Sequence, residues 1–231
     1  MAQITSTKTV AQSLTATLFK SLYMQMSAAL TITGLVAYFL SQSEAYLNML
    51  INTPAMMWII LIAQIGVVIW LSARLHKMSI TSATLLFIAY SVLTGVTFGT
   101  LFLAYDVSDI IATFFVTAGT FFVTSLAGYV TRMDLSKMGS ILMMLLIGLI
   151  IATVVNMFLG SEGLYMACTY IGVVVFVGLT AWDTQNIKNM FMEHGTADEN
   201  GQKLALMGAL MLYLDFINLF IYLLRLLGDR D

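Results

Sequence analysis

Charge is scarce in this 231-residue chain: Asp, Glu, Lys and Arg together make up 10% of it, against 60% hydrophobic residues. So few charges cannot cover a water-soluble globule of this length, which leaves an all-α integral membrane protein. Proline occurs once, at Pro54, and cysteine once, at Cys168. A lone thiol excludes an intrachain disulfide and a thiolate metal site, and Cys168 reads as a packing residue. The two histidines, His76 and His194, fall in connections, where an imidazole is solvated more often than it is a ligand or a switch. Absent too are a nucleophile elbow, a paired-histidine zinc motif, a phosphate-binding glycine loop and any metal-spaced Cys/His set. Soluble-enzyme chemistry is therefore not expected, nor a bound cofactor. The formal charge of −2 gives no reason to expect a nucleic-acid partner.

What the chain has in abundance is long apolar runs, at 21–40, 54–73, 80–104, 108–130, 139–159, 164–187 and 204–227. Each is long enough to cross a hydrocarbon core of about 30 Å as a helix, giving seven spans in one membrane domain. The polar stretch before the first span shows no cleavage signature, so that span is expected to stay. Basic residues cluster in alternate connections: Lys8 and Lys20, Arg74 and Lys77, Arg132 and Lys137, Lys188 and Lys203, while 41–53, 105–108 and 160–163 carry neither Lys nor Arg. The asymmetry places the N-terminus in the cytoplasm. Seven spans then bring the C-terminus outside, although Arg225 and Arg230 also fit a re-entrant last segment. Rows of small residues, Ser91, Gly95 and Gly99 on span three and Thr120, Thr124 and Gly128 on span four, are helix-packing faces.

Against that background, Asp183 and Asp215 stand out, one in each of the last two spans. A carboxylate at membrane depth is costly, whereas an amide or hydroxyl would join helices at less expense, so these two are the functional candidates. On span seven, Asp215, Asn218, Tyr222 and Arg225 share a face; on span six, Thr169, Gly172, Phe176, Thr180 and Asp183 do. Asn156 in span five reads as an interior amide. Both aspartates fall on the cytoplasmic side, and their depths match better if span six continues to about Met190. Arg74, at the inner end of span two, can reach the same layer with its long side chain and compete with a proton. Two carboxyls in a low dielectric cannot both ionise easily, so such a pair shares a proton and forms a pH-dependent latch.

The run LYLDFINLFIYLLRLLG (212–228), with AWDTQNIK (181–188) before it, resembles the Bax inhibitor family of membrane proteins, and its bacterial branch most closely. The resemblance covers the whole chain in length and layout, with its specificity in those two segments. It implies a seven-helix bundle with the last helix central, lodged in a bacterial inner membrane, and a calcium leak governed by pH. Asp183 and Asp215 would close the pore by sharing a proton, and Arg74 would pair with an aspartate and bias the switch. Gln64 stands where some relatives carry an acid, so any role for that acid does not transfer.

The function expected is a proton-gated passive leak of Ca²⁺. Asp183, Asp215, Asn156, Asn218 and backbone carbonyls would supply a weak, transient oxygen set for the ion. The partners are then the lipid bilayer, Ca²⁺ and protons. An alternative is a non-transporting regulator of a membrane protease or of stress and cell-death factors; bacterial relatives are associated with control of a quality-control protease. An intramembrane aspartyl protease also needs two aspartates on adjacent helices, but its flanking motifs are missing here.

Overall fold

The computed structural model describes the backbone of residues 2–53 and 55–229, and side chains from Gln12 onward within those ranges. Pro54, and the Lys8 and Arg230 charges of the topology argument, lie outside what it describes. Among the described residues the regular structure is helical throughout: α1 (Ala2–Ser41), α2 (Glu44–Asn52), α3 (Ala55–Arg74), α4 (Ile80–Phe98), α5 (Val107–Val130), α6 (Ser136–Leu159), α7 (Glu162–His194) and α8 (Glu199–Leu227), with 3₁₀ turns at Leu75–Lys77 and Gly99–Leu103. All but α2 are long and apolar enough to span a membrane, which makes seven. Each falls on one of the seven apolar runs, and α7 extends past Met190 to His194. Of the seven, α8 is the most deeply buried.

Helix ends follow local chemistry. The Ser43 and Ser79 hydroxyls accept the Tyr46 and Ser82 amides and start α2 and α4. Asp134 Oδ1 takes the Ser136 amide at 2.9 Å where α6 begins. Gly160, with φ 61°, supplies the left-handed residue that ends α6. Within the spans, hydroxyls fold back on the carbonyl four residues earlier: Ser91 on Phe87, Thr117 on Thr113, Thr180 on Phe176 and Thr184 on Thr180, at 2.7–2.8 Å. Ser and Thr therefore cost little here, because the helix satisfies them internally. A carboxylate has no such option.

The chain packs as two compact units. Among the described residues, the first comprises those up to Tyr105 with Met190–Tyr213, the second Asp106–Asn189 with 214–229. In the first, Gly95 lets α4 come up to α1 so closely that a Cβ there would stand 2.7 Å from Val36 Cβ, and Gly99 receives the Tyr46 phenol of α2, whose hydroxyl donates to the Val96 carbonyl at 2.6 Å. Tyr213 is fully buried; its hydroxyl shares a 2.7 Å hydrogen bond with Thr33 Oγ1, which also donates to the Ser91 carbonyl, and its ring meets Phe87 and Tyr90 edge-on. Gln64 ties α3 to α4 by donating to the Leu93 carbonyl at 2.7 Å and to Thr97 Oγ1.

In the second unit the buried face of α5 is Thr113, Thr117, Phe121, Ser125 and Gly128. Of the expected row Thr120, Thr124, Gly128, only the last is therefore fully enclosed. A core of Leu142, Leu149, Cys168, Val175, Phe176, Leu179, Leu219 and Leu223 joins α6, α7 and α8. Cys168 takes the packing position that its sequence context implies.

Candidate functional site

Asp183 on α7 and Asp215 on α8 meet inside the second unit. They are 8% and 5% exposed, and each carboxyl group lies within interaction range of the other. Ionised carboxylates only accept, so two of them can hydrogen-bond to one another only when a proton is held between them. One further oxygen of each, Asp183 Oδ1 and Asp215 Oδ2, is buried with no hydrogen-bond partner. Among the described residues no cation forms an ion pair with either. Asp183 lies about 16 Å along the axis from the end of α7, and Asp215 about 24 Å from the start of α8.

The segment around Asp183 is clamped against the α5–α6 hairpin, residue by residue. A Cβ on Gly128 would lie 2.1 Å from the Ala181 carbonyl oxygen, so α5 and α7 touch backbone to backbone. Gly139 leaves room for the Trp182 indole, and Gly178 for the Leu142 methyls. Thr184 Oγ1 and Ser125 Oγ share a 3.0 Å hydrogen bond. Gln185 reaches the turn between the two helices, accepting from the Leu135 amide at 2.9 Å and donating to the Met133 carbonyl at 2.7 Å. Lys188 donates to the Tyr129 carbonyl at 2.7 Å with its ammonium 4.9 Å from that ring's centroid. Asp183 is the polar residue of this stretch that turns to α8.

The polar face expected on α8 meets the small-residue face expected on α7. A Cβ on Gly172 would collide with the Tyr222 ring at 2.5 Å, Phe176 stacks on Tyr222 at 5.7 Å between centroids, and the Arg225 guanidinium lies 5.4 Å and 5.6 Å from the Tyr222 and Tyr165 rings. Asn218, less than a turn beyond Asp215, is half-buried and donates to the Leu214 carbonyl at 2.7 Å.

Asn156 needs correction. Its Oδ1 accepts the Ser161 amide at 3.0 Å and its carbonyl the Gly160 amide at 2.8 Å, so it brackets the end of α6. That end leads into Glu162, about 30 Å along α7 from Asp183, and Asn156 is not a ligand beside the pair. Arg74 ends α3 in the first unit, where it is exposed and makes no ion pair among the described residues. Gln185 and the hairpin contacts were not among the sequence candidates. No group of three or more His, Cys, Asp or Glu converges as metal ligands among the described residues.

Comparison with known proteins covers nearly the whole chain. The family described as inhibitor of apoptosis-promoting Bax1 matches residues 15–231. The chain belongs to the Bax inhibitor family. It is 46% identical over 215 residues to the inner membrane protein YbhL of Escherichia coli, covering 93% of this chain and 92% of the relative. An uncharacterised protein of Borreliella burgdorferi is 44% identical over 205 residues, 89% of this chain and 88% of that one. A third, from Deinococcus radiodurans, is 39% identical over 209 residues, or 90% and 89% of the two chains. Within this family, the chain is an all-α membrane protein with seven helices long and apolar enough to span the bilayer.

Proposed function

We propose that the protein is a pH-sensitive calcium leak of the bacterial inner membrane, gated by the proton that Asp183 and Asp215 share. The observation that carries this reading is the buried carboxyl pair without a cation, each member with an oxygen left unpartnered. A purely structural staple would be made better by amides, which donate as well as accept. With one proton the pair forms a charge-assisted hydrogen bond and holds α7 to α8. With none, two charges about 4 Å apart repel by roughly 4 kcal/mol at an effective dielectric of 20, enough to shift a two-state equilibrium nearly a thousandfold. A second proton removes the charge that strengthens the bond. The latch is therefore closed where the pair holds one proton.

Once parted, Asp183 and Asp215 offer their carboxylates, with Asn218 and backbone carbonyls, as a weak oxygen set for Ca²⁺. Calcium prefers six to eight oxygens, so binding at two carboxylates is loose, as conduction requires. Arg74, exposed and without an ion pair among the described residues, has no part in this latch, and Arg74→Ala should leave the pH midpoint of flux in place. The inner-membrane location follows the name of the Escherichia coli relative, and a cytoplasmic N-terminus follows the distribution of Lys and Arg. The test is ion flux into liposomes that contain only the purified protein, with Ca²⁺, K⁺ and H⁺ compared across pH. Calcium flux without a partner supports the leak; its absence at every pH leaves a non-transporting regulator of a membrane protease or of stress factors.

A further inference from the structure

The contacts of α7 with the α5–α6 hairpin single out one residue. Ala181, Trp182, Thr184 and Lys188 meet the last two turns of α5 or the first turn of α6 through a close backbone approach, ring packing, a hydroxyl pair and an ammonium–carbonyl bond. Gln185 differs, because its amide closes a two-bond ring with the backbone of the turn itself, donating to the Met133 carbonyl and accepting from the Leu135 amide. A planar amide held at both ends fixes direction as well as distance, and so sets the rotation of α7 about its own axis. Gln185 is two residues from Asp183, on a helix that carries no proline there. Rotation fixed at one is passed to the other with almost no slack.

Rotation is what the carboxyl pair is most sensitive to. A carboxyl a few ångströms from the helix axis sweeps sideways as the helix turns. We infer that Gln185 is a positioning residue, which aims the Asp183 carboxyl at Asp215 by locking α7 to the Met133–Leu135 turn. This rests on the paired aspartates of the proposed function but not on the ion they govern. Other charged groups do not supply the aim: Lys188 on α7 and Tyr129 on α5 engage each other, Lys137 lies in the first turn of α6, and Arg225 lies against Tyr165 and Tyr222 near the end of α8.

The experiment is infrared difference spectroscopy of the full-length protein in liposomes, titrated by pH and read at the protonated carboxyl stretch, with the band assigned by its loss in Asp215→Asn. Two carboxyls in contact titrate as a unit in two separated steps. Gln185→Met keeps the length and volume of the side chain and removes both hydrogen bonds. Gln64→Met removes a comparable two-bond tie between α3 and α4 and serves as the control for general loosening. The expected result is two steps in the wild type and in Gln64→Met, merging into one broad transition in Gln185→Met, with calcium flux losing its sharp pH dependence in the same variant. Two unmoved steps in a folded Gln185→Met protein overturn the inference, as does equal merging in Gln64→Met. A wild type with a single step overturns both the inference and the latch. Two steps that merge in Gln185→Met, in a protein that passes no ions, leave the positioning role standing and remove the leak.

Discussion

Gly128→Ala inserts one methyl group where α5 and α7 have no room for it. The added Cβ would lie 2.1 Å from the Ala181 carbonyl oxygen, while real Cβ contacts essentially never fall under 3.0 Å, so the helices must part by about 1 Å. Relief by rotamer change is unavailable, because the obstacle is backbone. Overpacking of this kind costs typically 1–3 kcal/mol, and a backbone clash belongs at the upper end, about 3 kcal/mol. For a chain of this size each kcal/mol moves the melting midpoint by about 2–4 °C, so a fall of roughly 6–12 °C follows. The assay is thermal unfolding in one detergent, followed by the fluorescence of Trp58, Trp70 and Trp182. Gly148→Ala on α6 is the matched control: a Cβ there meets nothing within 4 Å, and alanine in a helix gains about 0.5–1 kcal/mol over glycine. Gly128→Ala melting together with Gly148→Ala would refute the close approach of α5 and α7, and with it the clamp on the Asp183 segment.

Tyr213→Phe removes a buried 2.7 Å hydrogen bond to Thr33 and lowers stability by about 1 kcal/mol in the same melting assay, with Thr33 still bonded to Ser91. Asp198, ahead of α8, is held below the usual carboxylate range by hydrogen bonds from the Thr196 hydroxyl and the Gly201 and Asn200 amides. Its stabilisation is therefore present above the ordinary carboxylate range and lost as pH falls through the lowered value, so Asp198→Ala should melt below the wild type at neutral pH and converge with it in acid. Cysteines introduced at Asn48 and Ser161, both exposed, react from outside intact cells with an impermeant thiol reagent, and one at the exposed Ser136 does not; labelling at Ser136 alone would reverse the orientation.

Much of this arrangement can be seen in the sequence because lipid imposes it. An apolar run of about 20 residues has few alternatives to a spanning helix, so the seven spans align with the seven runs. Their ends do not: α7 continues to His194 through Lys188, Asn189 and Glu193, since solvated polar residues extend a helix without any apolar signal. Helix α2 leaves no span signal in the sequence, because nine residues are too few to cross a membrane, and its Tyr46 finds Val96 fifty residues later. Asp183 and Asp215 were legible from cost alone, and their meeting from the matching faces Gly172–Phe176–Asp183 and Asp215–Tyr222. Asn156 reads as an interior amide because its sequence neighbourhood looks like a span interior, although the Gly160 that ends the helix lies four residues on. Gln185 gave no signal, because both of its partners are backbone groups of a turn about fifty residues away.

The proton latch is tested most directly by calcium flux across pH in liposomes carrying the wild type, Asp183→Asn, Asp215→Asn or the double variant. Asparagine preserves volume and hydrogen bonding and removes titration. Each single variant should lose most of the pH dependence of flux, and the double variant should add little, because the pair titrates as one unit. Wild-type pH dependence retained in both folded single variants would contradict the latch and leave the buried pair as a join between α7 and α8.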